Sequence, residues 1–127
     1  IVSHAFSLAA DAGCSIQIHA ESGPCADMIE MASSQGMNPA RVIKHFGTPD
    51  TPLMLSLVAK HEEIPNLCRM KREFTMESDY MDENSRPGAV IGPKSVPRFT
   101  LRMLEQGSIT EEDLYRIHMH TPRKVWD

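Results

Sequence analysis

Residues 14–19, Cys14-Ser15-Ile16-Gln17-Ile18-His19, alternate small or apolar side chains with polar ones and predict a short strand ending in a histidine. Upstream, Val2, Phe6, Ala9 and Ala10 recur at helical spacing, and Gly13 suits the residue that closes a helix. Downstream, residues 23–36 read as a helix, with Pro24 in its first turn, a stripe of Met28, Ile29, Met31 and Ala32, and Gly36 as its stop. A second strand is expected at residues 41–46, broken by Gly47-Thr48-Pro49-Asp50, and a third at residues 53–58. A short helix interrupted by Pro65 follows at residues 60–68. Residues 73–78 then make a fourth strand that ends at Asp79. Residues 80–94, with Pro87, Gly88, Gly92 and Pro93, read as a long loop of the kind that often carries function. Two helices close the chain: one over residues 96–106, and one capped by Thr110 that runs to about His120 and stops before Pro122.

Strands alternating with helices predict an α/β fold with parallel strands and covering helices. Residues 1–127 form one domain, expected to be the last four βα units of a TIM-barrel-type (β/α)8 fold, a half-barrel. A small open parallel sheet is the alternative. A parallel sheet of four strands has two unpaired edges, so the half-barrel needs closure by a missing N-terminal half or by a second copy. The sequence opens inside a helix with no initiator Met, which predicts a piece of a longer chain.

The charge balance, 13 basic against 17 acidic residues, gives no basic surface for nucleic acid or anionic lipid, although an enzyme can meet substrate charge inside a cleft. No apolar run is long enough to span a bilayer, so no membrane association is expected. The three cysteines are scattered with no CxxC spacing, which predicts a reducing, cytoplasmic setting.

His19, His45 and Asp79 stand at the ends of the first, second and fourth strands. In parallel barrels the catalytic groups come from the C-terminal ends of different strands. Two imidazoles and a carboxylate there are a fitting donor set for a divalent metal such as Zn, Mn or Mg, and such an ion activates water. Asp79 is the candidate catalytic residue, both ligating and accepting the water's proton. Taken singly, each has a plainer reading, the histidines as surface residues and Asp79 as a turn residue. Glu21, Tyr80, Arg86 and Lys94 are weaker substrate-binding candidates, the two cations for an anionic group. His4, His61, His118 and His120 read as surface positions, the nine Met residues as adaptable core filling, and Cys14 as buried.

The segments QIHAES (17–22), VIKHFGTP (42–49), FTMESDYMDENSRPGAVIGPKSVPR (74–98) and SITEEDLYRIHMHTPRKVW (108–126) resemble the TatD-related metal-dependent hydrolases of the amidohydrolase superfamily. The resemblance covers nearly the whole chain. It implies a (β/α)8 barrel, one or two divalent metals, and hydrolysis of phosphoester or related bonds, C–N bonds included. Several members act on DNA, which makes nucleic acid a possible substrate. In that family the fifth and sixth strands end in metal-binding histidines and the eighth in an essential Asp, positions matched here by His19, His45 and Asp79. The family's His-x-His pair and bridging Glu fall on strands this chain does not contain, so a two-metal site needs residues from outside it. Two other readings follow: a non-catalytic metal-binding or interaction lobe, and two copies closing one pseudo-barrel.

Overall fold

The computed structural model describes residues 1–20, 23–80 and 92–127. Helix α1 (Val2–Ala12) ends at Gly13, whose left-handed backbone (φ 66°) turns the chain into β1 (Ile16–Ile18). Helix α2 (Asp27–Ser34) holds the whole apolar stripe but starts later than residue 23, because Gly23 and Cys25 both have positive φ and the helix can begin only after them. A 3-10 turn (Pro39–Arg41) leads into β2 (Val42–Lys44), and residues 45–53 join it to β3 (Met54–Val58) without a helix. Helix α3 (Ile64–Arg69) accepts Pro65 in its first turn, where no amide donor is required. Strand β4 (Phe74–Glu77), then α4 (Ser95–Glu105), α5 (Glu111–Tyr115), a π-helical turn (Arg116–His120) and α6 (Thr121–Trp126) complete the chain.

The four strands form one sheet in the order β1-β2-β3-β4, every neighbouring pair parallel. The α/β class and the parallel sheet expected from the alternation are therefore present. Register assigns the faces, since alternate residues point to opposite sides. Ile16 and Ile18 align with Val42 and Lys44, Lys44 with Leu55, and Leu55 and Leu57 with Phe74 and Met76. That face carries the helices. Leu55, Leu57 and Phe74 pack with Ile64, Leu67, Ile109 and Ile117, while Val42 packs with Phe6, Ala9, Ala32, Met37 and Leu53. The opposite face holds Gln17, Ile43, Met54, Ser56, Val58, Thr75 and Glu77; His19 and His45 follow one residue beyond β1 and β2, and Asp79 two residues beyond β4.

Gly47 makes the helix-free crossover possible. Its N–H donates to the Ser56 carbonyl at 2.9 Å, and a Cβ there would lie 2.7 Å from Leu55 Cδ1 and 3.0 Å from the Lys44 carbonyl oxygen. At the other end of the strands, α6 ties the outer elements together. The Ser15 hydroxyl donates to the Val125 carbonyl, and Lys124 Nζ reaches both carboxylate oxygens of Glu73 at 3.1 Å. Among the described residues, no helix is long and apolar enough to cross a membrane.

Two expectations are corrected. The last helix does not stop before Pro122: the chain widens into the π-helical turn and continues into α6, with Pro122 in the first turn of the new segment. In a π turn the carbonyl four residues back is not the hydrogen-bond acceptor, so the proline ring meets less obstruction. His118 is exposed, as expected, but not without a partner: its Nε2 lies 2.9 Å from Thr100 Oγ1, whose hydroxyl donates to the Val96 carbonyl, and partial desolvation lowers its pKa. Cys14 is exposed, and Cys68 is the buried thiol. Burial and the nearby Asp113 carboxylate push Cys68 up to about 11, leaving it protonated and inert at neutral pH.

The cap on α5 is reciprocal. Thr110 Oγ1 accepts from the Asp113 N–H, and Asp113 Oδ2 accepts from the Thr110 N–H at 2.9 Å. Burial raises the Asp113 carboxyl, but the two Thr110 donors and the Arg116 guanidinium outweigh it and hold the group below the usual carboxylate range. A depressed pKa means this contribution is complete above the unfolded value and disappears as pH falls through the folded one. Thr110→Ala is expected to cost about 1 kcal/mol in urea unfolding at neutral pH. Its deficit against wild type should shrink below about pH 4, where the carboxylate protonates in both proteins.

Candidate functional site

The C-terminal rim of the sheet gathers the predicted residues unevenly. His45 and Asp79 meet: Nε2 of the imidazole lies 3.2 Å from Asp79 Oδ1. Asp79 turns toward the rim on a left-handed backbone (φ 49°), which Asp tolerates better than most residues. The His19 ring stacks against His45, with centroids 5.2 Å apart and planes inclined by 29°. Among the described residues, His19 joins the cluster through this ring stack. Tyr80 follows Asp79 and is 50% exposed, and Lys94 is exposed at the residue preceding α4. Glu21 and Arg86 lie outside the described residues.

A side chain that the motif reading passed over organises this cluster. Glu77 Oε2 sits 3.0 Å from His45 Nδ1 and accepts the Ser56 hydroxyl, while Oε1 accepts the Phe46 N–H at 2.7 Å. The Phe46 amide is presented by another left-handed residue (φ 48°), so the turn after β2 aims its own backbone at the carboxylate. The signal was legible in principle. Glu77 precedes Asp79 by two residues, and two residues apart on a strand is one face. Ser56 enters through the register, since β3 runs beside β4 with Val58 opposite Glu77.

Lys44 is the second organiser. It is 4% exposed, lies on the helix-facing side of β2, and its Nζ donates to the carbonyls of Ala20 (3.1 Å) and His45 (3.0 Å). One ammonium therefore grips the chain immediately after His19 and at His45 itself. The stack of the two rings follows from that grip and from the His45 N–H donating to the Ile18 carbonyl at 3.0 Å.

Two ligands of one zinc ion, each about 2.0–2.2 Å from it at roughly tetrahedral angles, stand about 3.3–3.6 Å apart. His45 Nε2 and Asp79 Oδ1, at 3.2 Å, stand slightly closer than that, at ordinary hydrogen-bond distance. No third donor joins them: among the described residues, no group of three or more His, Cys, Asp or Glu side chains is placed to hold a metal ion. The expected convergence of His19, His45 and Asp79 is thus met by two of the three, and His19 would have to leave its stack to join them.

The chain is 35% identical to an uncharacterized protein of Methanocaldococcus jannaschii in a match that covers all of this chain and 48% of that protein. It thus spans about half the length of the curated relative it matches. No protein-family model matches the chain, and no solved structure matches it.

Replacing Lys44 by Met keeps the volume but removes the donor from two carbonyls, and each loss of that kind costs about 1–3 kcal/mol when the group stays dry. Lys44→Met is expected to lower the urea midpoint. It should also move the His19 and His45 ring-proton resonances together, whereas a substitution elsewhere in the core should leave the two rings stacked.

Proposed function

We propose that this chain is the C-terminal half of a metal-dependent hydrolase barrel of the TatD-related kind, acting on phosphoesters, with DNA among the candidate substrates. The observation that carries the reading is the 3.2 Å approach of His45 Nε2 to Asp79 Oδ1 at the C-terminal rim. Glu77 lies against the other imidazole nitrogen, so His45 stands between two carboxylates, and the gap at Nε2 suits an electropositive species, a ring proton or a cation. Supporting it are the motifs of the resemblance, and a strand order that advances without the reversal typical of doubly wound sheets. Leu8 on α1 is 57% exposed, as expected of a helix whose outer side packs on further units.

In this reading His45 and Asp79 would hold a divalent Zn, Mn or Mg ion together with donors from outside the described residues, and with His19 if its ring left the stack. Such an ion would lower the pKa of a bound water toward neutrality. Asp79, whose side chain is 25% exposed, accepts the proton of the attacking water. Tyr80, directly after Asp79, and Lys94, at the start of α4, are the described candidates to touch an anionic substrate. A non-catalytic lobe is the second reading. It is favoured by the fact that both His45 nitrogens have carboxylate neighbours, an arrangement a purely structural ion pair also produces.

The test uses the full-length protein, assayed with bis(p-nitrophenyl) phosphate and with single-stranded DNA in the presence of Zn, Mn or Mg. Chelation should abolish hydrolysis, Asp79→Asn should lower kcat by about 10²–10⁴-fold, and His45→Ala should reduce bound metal. Unchanged metal content in His45→Ala, with no hydrolysis by the metal-loaded wild type, would overturn the enzyme reading in favour of the lobe.

A further inference from the structure

We infer that Glu77 is a positioning residue that fixes the tautomer of His45, placing the ring proton on Nδ1 and leaving Nε2 as a bare acceptor at the rim. The neutral imidazole has one N–H to offer and two carboxylates beside it, at 3.0 Å (Glu77, Nδ1) and 3.2 Å (Asp79, Nε2). What separates them is how each carboxylate is held. Glu77 is tied by the Phe46 N–H and the Ser56 hydroxyl, and only 14% of its side chain is exposed, so Oε2 is aimed at Nδ1 before the proton is placed. Asp79 lies two residues past the last pairing of β4, is more exposed, and can exchange His45 for water. A fixed, desolvated acceptor outcompetes a wetter one for the same donor.

The arrangement also opposes the ring's own preference, since a free histidine side chain favours the proton on Nε2. A carboxylate behind the other nitrogen is the general means of orienting an imidazole and raising the basicity of its free nitrogen. Glu77 touches neither substrate nor reacting atom, and acts only through His45. The inference concerns the ring itself, so it holds or fails apart from the hydrolase reading.

A glutamine at this position converts the geometry into a switch. The Phe46 N–H is fixed by the backbone and must be met by the amide oxygen, which turns the amide NH2 toward His45 Nδ1 and the Ser56 hydroxyl. A donor facing Nδ1 needs an acceptor there, so the ring proton must move to Nε2.

The experiment is a long-range proton–nitrogen correlation spectrum of full-length, histidine-labelled protein, recorded with the rings neutral and without added metal. His45→Gln identifies the resonance. Wild type should show His45 predominantly as the Nδ1–H form, and Glu77→Gln should convert it predominantly to the Nε2–H form while His19 and His118 keep theirs. An Nε2–H ring in wild type would overturn the inference, as would a Glu77→Gln protein with the tautomer unchanged. If Glu77→Gln does not fold, the wild-type spectrum decides the matter alone.

Discussion

The parallel register of the four strands is the constraint on which everything else rests. Each strand is only three to five residues long, so a slip of one position would exchange its faces completely. In the register observed, the leucines of β3 and Phe74 of β4 meet the helices, and the polar residues that follow the strands come to one rim. Hydrophobic burial enforces this. Val42, Leu55, Leu57 and Phe74 are each at most 1% exposed, and turning any of these strands over would take such residues out of the core.

On that frame the rim is held from two sides by oppositely charged side chains. Lys44 gathers the carbonyls beside His19 and at His45, while Glu77 gathers the His45 ring, the Phe46 amide and the Ser56 hydroxyl. Both charges are largely out of water, and a buried charge is tolerated only when its hydrogen-bonding capacity is used. Such groups are costly to misplace, and so they restrict the rim to one arrangement. The positive φ values at Phe46 and Asp79 belong to the same economy, with backbone conformations of limited population held by the contacts around them.

The α/β class, all four strands and the capped helix at Thr110 could be read from periodicity and from turn residues, because these are local properties of the chain. So could the placement of His19, His45 and Asp79 at strand ends. Less could be said of the helical C-terminus. Pro122 is a helix breaker by its local chemistry, yet a π-helical turn carries the backbone past it. Cys14, expected inside, is exposed for a related reason, since burial is decided by what lies across a gap and not by neighbours in sequence.

The sequence by itself determined which residues stand at the strand ends and which strand faces are apolar, because alternation and turn chemistry act over a few residues. Only the tertiary structure decided that His45 meets Asp79 while His19 stacks aside, and that Glu77 and Lys44 hold the rim. Apart from the bond of Lys44 to its neighbour His45, those contacts join residues 21 to 34 positions apart, and their distances depend on how neighbouring strands are aligned, a quantity no local pattern encodes.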